Sequence, residues 1–147
     1  MIRKEKGFFK ITKRGKQLRQ EHLAAKLFTL LFLTYFQKLN IAFFDRIEEN
    51  DSLQDTILYS FYKIGTLLND WKKPEEVARD VMYPSALNCV HGDNDLVNQI
   101  EMRIFWPLVL FGLLETKQLP KNGKWGIPKT LYRKTELFDW FLRFNID

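Results

Sequence analysis

Residues 23–36 read LAAKLFTLLFLTYF, and only Lys26, Thr29 and Thr34 interrupt the apolar character of this stretch. At helical spacing the polar positions form one narrow stripe, so most of the helix circumference is apolar and requires packing partners. We therefore expect a long buried helix at the centre of the fold. The run is shorter than the roughly 20 apolar residues that a membrane span needs, so we expect no membrane role.

The length suits one domain, because a chain of 147 residues buries about 68 to 70% of its unfolded surface when it folds. We expect a single domain over residues 1–147. It is made of a basic strand plus core helix over residues 1–50 and a second region over residues 51–147. The lone Cys89 permits no internal disulfide and gives no reason to expect an oxidising compartment, so we expect a cytoplasmic protein.

The charge is distributed unevenly along the chain. Residues 1–26 contain nine Lys or Arg against two acidic residues, residues 27–112 contain seven against twelve, and residues 113–147 contain seven against four. The two ends are therefore basic and the middle is acidic. Such asymmetry indicates a polyanion partner for the ends, and the alternative is a basic surface that is merely solvated.

Periodicity and capping signals predict five helices and a small sheet. We expect the helices over residues 13–40, 51–71, 74–82, 93–112 and 136–144, with Thr12 as the N-cap of the first, Gly112 as the C-cap of the fourth, and a loop over residues 84–92. Two helices have a predicted buried face: in the second helix it is Leu53, Ile57, Phe61, Ile64, Leu68 and Trp71, and in the last helix it is Leu137, Trp140, Phe141 and Phe144. We expect the strands over residues 7–11, 113–116 and 130–133. Pro107 predicts a kink or break near Ile104, and Asn122-Gly123 is a strong turn signal between the last two strands.

Three phrases carry a resemblance to a known fold. Residues 74–82, PEEVARDVM, resemble the second helix of a winged helix-turn-helix domain. Residues 104–115, IFWPLVLFGLLE, look like the end of a recognition helix that runs into the first wing strand, and residues 132–138, YRKTELF, are similar to the second strand turning into the closing helix. The resemblance covers residues 51–144. It implies a mainly α fold with a small β-hairpin, a winged-helix-like domain that we expect to be built around the long buried helix.

Two further resemblances concern the origin of the chain. Residues 8–18, FFKITKRGKQL, are similar to the end of many winged-helix domains, which suggests the C-terminal part of a longer protein. The whole chain also resembles a family of uncharacterised bacterial proteins associated with plasmid and transposon genes. That second resemblance implies no established activity.

The presumed recognition helix departs from the winged-helix pattern in its charge. Between residues 93 and 103 it has three acidic residues and only Arg103 as a cation, which is the wrong sign for entering a groove lined by phosphates. Its amide side chains could still read base edges. We therefore expect packing or protein contact from this helix more than base readout.

The basic N-terminal segment is the first candidate nucleic-acid-binding surface. Phosphate binding needs flexible cations at close spacing, and Phe8 and Phe9 could stack on unpaired bases. The alternative is a solvated basic strand with both Phe residues in the core. The candidate residues of this surface are Arg3, Lys4, Lys6, Lys10, Lys13, Arg14, Lys16 and Arg19.

The loop between the last two strands is the second candidate. Its lysines surround a Trp, a pattern that suits contact with a phosphate backbone or insertion beside a groove. The alternative is a polar loop whose Trp covers the core. The candidate residues are Lys121, Lys124, Trp125 and Lys129.

No catalytic or metal-binding residues are predicted. Cys89, His91 and the distant His22 are too few and too scattered for a zinc site, and no recognisable catalytic or phosphate-loop motif is present. We expect no enzyme activity, no cofactor and no small-molecule substrate.

The sequence favours a non-catalytic DNA-binding module that acts mainly through phosphate contacts, and such a module could serve in regulation. The alternative is a protein-interaction or oligomerisation module, binding a partner chain or a second copy, with a degenerate winged helix and no DNA binding.

Overall fold

The structure, a computed structural model, describes residues 2–5, 8–18, 20–41, 51–120 and 128–144. It divides the chain into two compact units, Met1–Leu39 and Asn40–Asp147. The described residues are mainly helical and form two separate two-stranded antiparallel sheets, which confirms a mainly α fold with a small hairpin. No described helix combines the length and apolar character that a membrane span requires. The assignment of one domain divided after residue 50 stays a prediction.

The first unit consists of a β-hairpin followed by short helical segments. Thr12 caps the first helix as predicted, because its Oγ1 accepts a hydrogen bond of 3.2 Å from the Gly15 N–H. The register of the hairpin pairs Arg3 with Lys10. Its first strand was not predicted, since four mainly charged residues show no alternation. The elements are β1 (Ile2–Glu5), β2 (Phe8–Ile11), α1 (Lys13–Leu18), a 3-10 turn (Glu21–Leu23), α2 (Ala24–Leu33) and a π turn (Thr34–Lys38).

The prediction of one long buried helix is wrong. The chain from residue 13 to residue 40 is broken into the four helical segments just named, and the Thr34 hydroxyl donates to the Leu30 carbonyl at 2.6 Å, a bond that favours bending. Within residues 23–36 only Phe32 and Phe36 are buried, whereas Leu31 and Leu33 are exposed. A unit of this size has too little chain to cover every face of an apolar helix.

The second unit begins with helices that follow the predicted apolar face. Leu53, Ile57, Phe61, Ile64 and Leu68 are all buried, which confirms the face predicted from their spacing. The predicted single helix is divided into two at residue 56. Pro84 begins a further short helix where a loop was predicted, because its fixed φ suits a first helical position. The elements are α3 (Asp51–Asp55), α4 (Ile57–Leu67), α5 (Pro74–Val81) and α6 (Pro84–Leu87).

The helix predicted over residues 93–112 is interrupted at the predicted place. It consists of α7 (Asp93–Ile100), a π turn (Glu101–Phe105) and α8 (Trp106–Leu110). The π turn ends at Phe105, two residues before Pro107, which has no N–H to donate and whose ring crowds the preceding turn. Gly112 ends the helix with φ of 70°, and the Leu113 N–H donates to the Leu108 carbonyl at 2.8 Å. This is a Schellman C-cap.

The chain then forms the predicted hairpin and a last helix, β3 (Leu114–Gln118), β4 (Thr130–Lys134) and α9 (Glu136–Phe141). A further bridge joins Lys72, between α4 and α5, to Tyr132 on β4. The Lys72 N–H donates to the Tyr132 carbonyl at 3.1 Å, and the Tyr132 N–H donates to the Lys72 carbonyl at 2.8 Å. Strand β4 is therefore paired on both sides.

The core of the second unit closes around Tyr132 and Phe138, which are both buried. The Tyr132 ring lies 4.8 Å from the Phe105 ring, between their centroids. The sequence predicted Trp140 on the buried side of the last helix, but Trp140 is 65% exposed and Phe138 takes the core position. The local spacing of aromatic residues fits either face, and only the packing partners decide between them.

Candidate nucleic-acid interface

The basic N-terminal residues lie on the hairpin and the first helix. Arg3 and Lys4 are on β1, Lys10 is on β2, and three further cations are on α1, whereas Lys6 and Arg19 lie outside the described residues. The side chains of Lys10, Lys13, Arg14 and Lys16 are all exposed. Three exposed cations, Lys13, Arg14 and Lys16, therefore lie close together on the six residues of α1.

Helix α1 presents its three cations in two directions. Lys13 and Lys16 are three residues apart and share one side of the helix, while Arg14 lines a groove together with Gln17. No ion pair joins Lys13, Arg14 or Lys16 to another described residue. Their charges are therefore not neutralised by the part of the chain that the structure describes, and they can contact an external anion.

The groove lies within the first unit, between α1 and α2, and has a volume of about 640 Å³. Arg14 and Lys26 supply its cationic groups, and both side chains are exposed. An aliphatic floor completes it, formed by Leu23, Ala25, Leu30 and Leu33. Such a site can hold a phosphate at the cations while the flat face of a base lies on the aliphatic side chains. Sequence reasoning missed Lys26 as a site residue, because it appeared only as an interruption of an apolar run.

The division into two units concentrates the positive charge. Residues 1–39 contain ten Lys or Arg against two acidic residues, a net charge of +8, and residues 40–147 contain thirteen against sixteen, a net charge of −3. From residue 22 to residue 39 the sequence has no acidic residue at all. The positive charge of the chain is therefore concentrated in the first unit.

The structure describes only part of the predicted loop surface. Lys121, Lys124 and Trp125 lie outside the described residues. Lys129 is exposed just before β4, and its carbonyl accepts a hydrogen bond of 2.8 Å from the Leu119 N–H, so that the hairpin pairing continues beyond the two strands.

The helical segment 93–110 exposes no cation. Its single cation, Arg103, is 1% exposed and donates from Nη1 to Gln99 Oε1 at 3.2 Å. The exposed side chains of this segment include two amides near its start, Asn94 and Asn98, and three apolar residues further along. These are Met102, Trp106 and Leu110, with exposed fractions of 54%, 48% and 82%.

This apolar strip was not predicted as a unit. A signal was present, because the three residues recur every four positions opposite the core-facing Ile100, Ile104 and Leu108. Such a strip suits contact with a protein surface and cannot hold phosphates, since it has no donor with a positive charge.

Tyr132 connects the interrupted helix to the sheet. Its hydroxyl donates to Glu101 Oε1 at 2.7 Å, and Glu101 is the first residue of the π turn. Burial, and after it the hydrogen bond and the negative charge of Glu101, raise the pKa of Tyr132 well above its usual value. The neutral phenol is therefore the stable form, and its role is structural.

The described residues contain no group of three His, Cys, Asp or Glu side chains that could hold a metal ion. Cys89 is a half-buried free thiol, and His91 is exposed. Comparison of the chain with protein-family models, curated proteins and solved structures finds no match.

Proposed function

We propose that this chain is a non-catalytic nucleic-acid-binding module that holds DNA chiefly through phosphate contacts of its first unit. The observation that supports this most is the cationic surface of α1 and α2, where Lys13, Arg14, Lys16 and Lys26 are all exposed. Exposed cations gain affinity for nucleic acid by releasing condensed counterions, and they lose little hydration in doing so. Their contacts position the backbone and do not distinguish one base from another.

A winged-helix architecture for the second unit is part of the proposal. A series of helical segments, α3 to α8, is followed by a strand, a loop, a second strand and a closing helix, which is the general order of that fold. The Lys72–Tyr132 bridge adds a backbone pairing to this sheet from the segment that precedes α5. The proposal also includes a cytoplasmic location. It includes a bacterial origin, which the resemblance to uncharacterised bacterial proteins implies.

Sequence specificity is expected to be modest. A winged-helix domain inserts its recognition helix into the major groove. The corresponding helix of this chain begins with Asp93 and Asp95 and exposes no cation among its described side chains. Base readout would rest on Asn94 and Asn98 alone. Binding should therefore be nearly uniform across sequences and strongly dependent on salt.

The test is fluorescence anisotropy with labelled duplex and single-stranded DNA at two salt concentrations. The variant Lys13→Ala/Arg14→Ala/Lys16→Ala should weaken binding to all sequences alike. It should also reduce the slope of log affinity against log salt by about 2.7, or about 0.9 per lost phosphate contact.

The matched control removes the same charge from the second unit by Lys63→Ala/Lys72→Ala/Arg143→Ala. This control should bind almost as the wild type does. Unchanged affinity in the α1 variant, or an equal loss in both variants, would rule out the proposed surface.

A second candidate function is a protein-interaction module that uses the apolar strip of Met102, Trp106 and Leu110. Its support is the exposure of these three side chains on a helix without exposed cations. The test is quantitative capture with wild-type and Leu110→Glu baits. Partners that bind the strip should be lost from the variant bait and retained by Leu58→Glu, a control at an equally apolar position that is 61% exposed on α4.

A further inference from the structure

We propose that the strip of Met102, Trp106 and Leu110 packs against the same strip of a second copy of this chain. The two helices would lie antiparallel about a two-fold axis at Trp106. This inference rests on the second candidate function, because it names the partner for that surface. It is independent of nucleic-acid binding by the first unit.

The geometry of the helix keeps the three side chains on one side. In a regular α-helix a step of four residues advances about 40° around the axis, so a longer series drifts off one face. The π turn Glu101–Phe105 takes more residues per turn and offsets part of this drift. All three side chains are consequently exposed, although Ile104, Phe105 and Leu108 between them are buried.

The helix that carries the strip exposes no charged side chain from Met102 onwards. From residue 102 to residue 114 the sequence contains one charged residue, Arg103, and that side chain is buried. In a chain that is 28% charged, thirteen consecutive residues without an exposed charge are unusual. An uncharged partner surface fits this strip, whereas an acidic peptide or a polyanion finds no counter-charge there.

The strip is symmetric about Trp106, which is what a two-fold contact requires. Met102 lies four residues before it and Leu110 lies four residues after it, and both side chains are apolar. Antiparallel pairing therefore sets Met102 against Leu110 of the partner subunit, and Trp106 against its own equivalent. An isologous interface uses the same patch on both copies, and this patch complements itself. The strip is about 12 Å long at 1.5 Å per residue.

The exposed apolar area is of the size that a weak dimer uses. Together the three side chains expose on the order of 400 Å² per copy, about half of the ~800 Å² per partner in a standard interface. A contact of this size is at the lower limit for a specific interface, so the dimer should be weak and in exchange with the monomer.

Sedimentation velocity over low-micromolar to near-millimolar concentrations tests the dimer with the full chain. The wild type should shift from monomer to dimer. Leu110→Glu places two carboxylates in each interface, so it should raise the dissociation constant at least tenfold, and Leu58→Glu should leave it unchanged. Leu110 is exposed, so the variant should keep the wild-type fold, which circular dichroism checks.

Cysteine crosslinking in a Cys89→Ala background tests the register. An equimolar mixture of Met102→Cys and Leu110→Cys chains should crosslink through a short bismaleimide far more than either variant alone. Equal crosslinking of each variant with itself would overturn the antiparallel register. A monomer at every concentration would overturn the second copy as partner, while the protein-interaction function would still be decided separately by the capture experiment.

Discussion

The hydroxyl of Tyr132 donates a hydrogen bond of 2.7 Å to Oε1 of Glu101, and this bond connects strand β4 to the π turn between α7 and α8. The same residue pairs its backbone with Lys72. Tyr132 thus joins three parts of the second unit: the sheet, the segment between α4 and α5, and the helix that presents the apolar strip. Four predictions about stability follow from this packing, from the C-cap at Gly112 and from the core position of Phe138.

The substitution Tyr132→Phe should destabilise the second unit by about 1 to 3 kcal/mol. It removes the hydrogen bond and leaves the half-buried Glu101 carboxylate without that donor, and the cost of an unsatisfied group is of this size. Urea unfolding followed by circular dichroism measures the change. Tyr83→Phe, at an exposed tyrosine, is the control and should shift the free energy of unfolding very little.

Alkaline pH should destabilise the protein partly through Tyr132. Because burial and Glu101 raise the pKa of this tyrosine in the folded state, its contribution to stability is complete below the unfolded value near 10 and is lost as pH rises above it. The limiting slope for one such group is about 1.4 kcal/mol per pH unit. Urea unfolding on both sides of about pH 10 should show a steeper loss in the wild type than in Tyr132→Phe. Parallel slopes for the two proteins would contradict the raised pKa.

Replacement of Gly112 by Ala should lower the free energy of unfolding by about 1 to 2 kcal/mol. Gly112 has a φ of 70°, and a Cβ in this left-handed region clashes with the following carbonyl. The open space around this position excludes a packing clash, since the nearest atom to an added Cβ would be 3.9 Å away. Gly112→Asn should cost less than Gly112→Ala, because Asn tolerates this region better. Thermal denaturation can rank the three proteins.

The last helix should respond to substitution at Phe138 and not at Trp140. Phe138→Ala empties a fully buried position and should cost about 3 to 5 kcal/mol. Trp140→Ala removes a mostly exposed side chain and should change stability by about 0.5 kcal/mol or less. Equal effects in urea unfolding would place Trp140 in the core, as the sequence alone suggested.

The candidate interface was predictable only in part. Exposure of Lys13, Arg14 and Lys16 follows from their charge, because long cationic side chains are rarely buried without a partner. Arg103 is buried because it has such a partner, since it donates to Gln99 within the core, and the sequence does not reveal this pairing. The groove that joins Arg14 to Lys26 depends on how α1 and α2 meet, and no spacing in the sequence specifies that.

The sequence by itself determined the local elements of the second unit. The apolar face from Leu53 to Leu68, the break near Pro107, the C-cap at Gly112 and the hairpin between β3 and β4 all follow from side-chain period and backbone preference. These properties act over a few residues, so they can be recognised without knowledge of the fold.

Only the tertiary structure decided which apolar faces are covered. Residues 23–36 are apolar on most sides, yet just Phe32 and Phe36 are buried, and Phe138 takes the core position in place of Trp140. The Lys72–Tyr132 bridge and the exposed strip around Trp106 are likewise consequences of packing between distant segments. Burial depends on what lies opposite a side chain, and periodicity in a sequence states only that an apolar face exists, not which part of the chain will cover it.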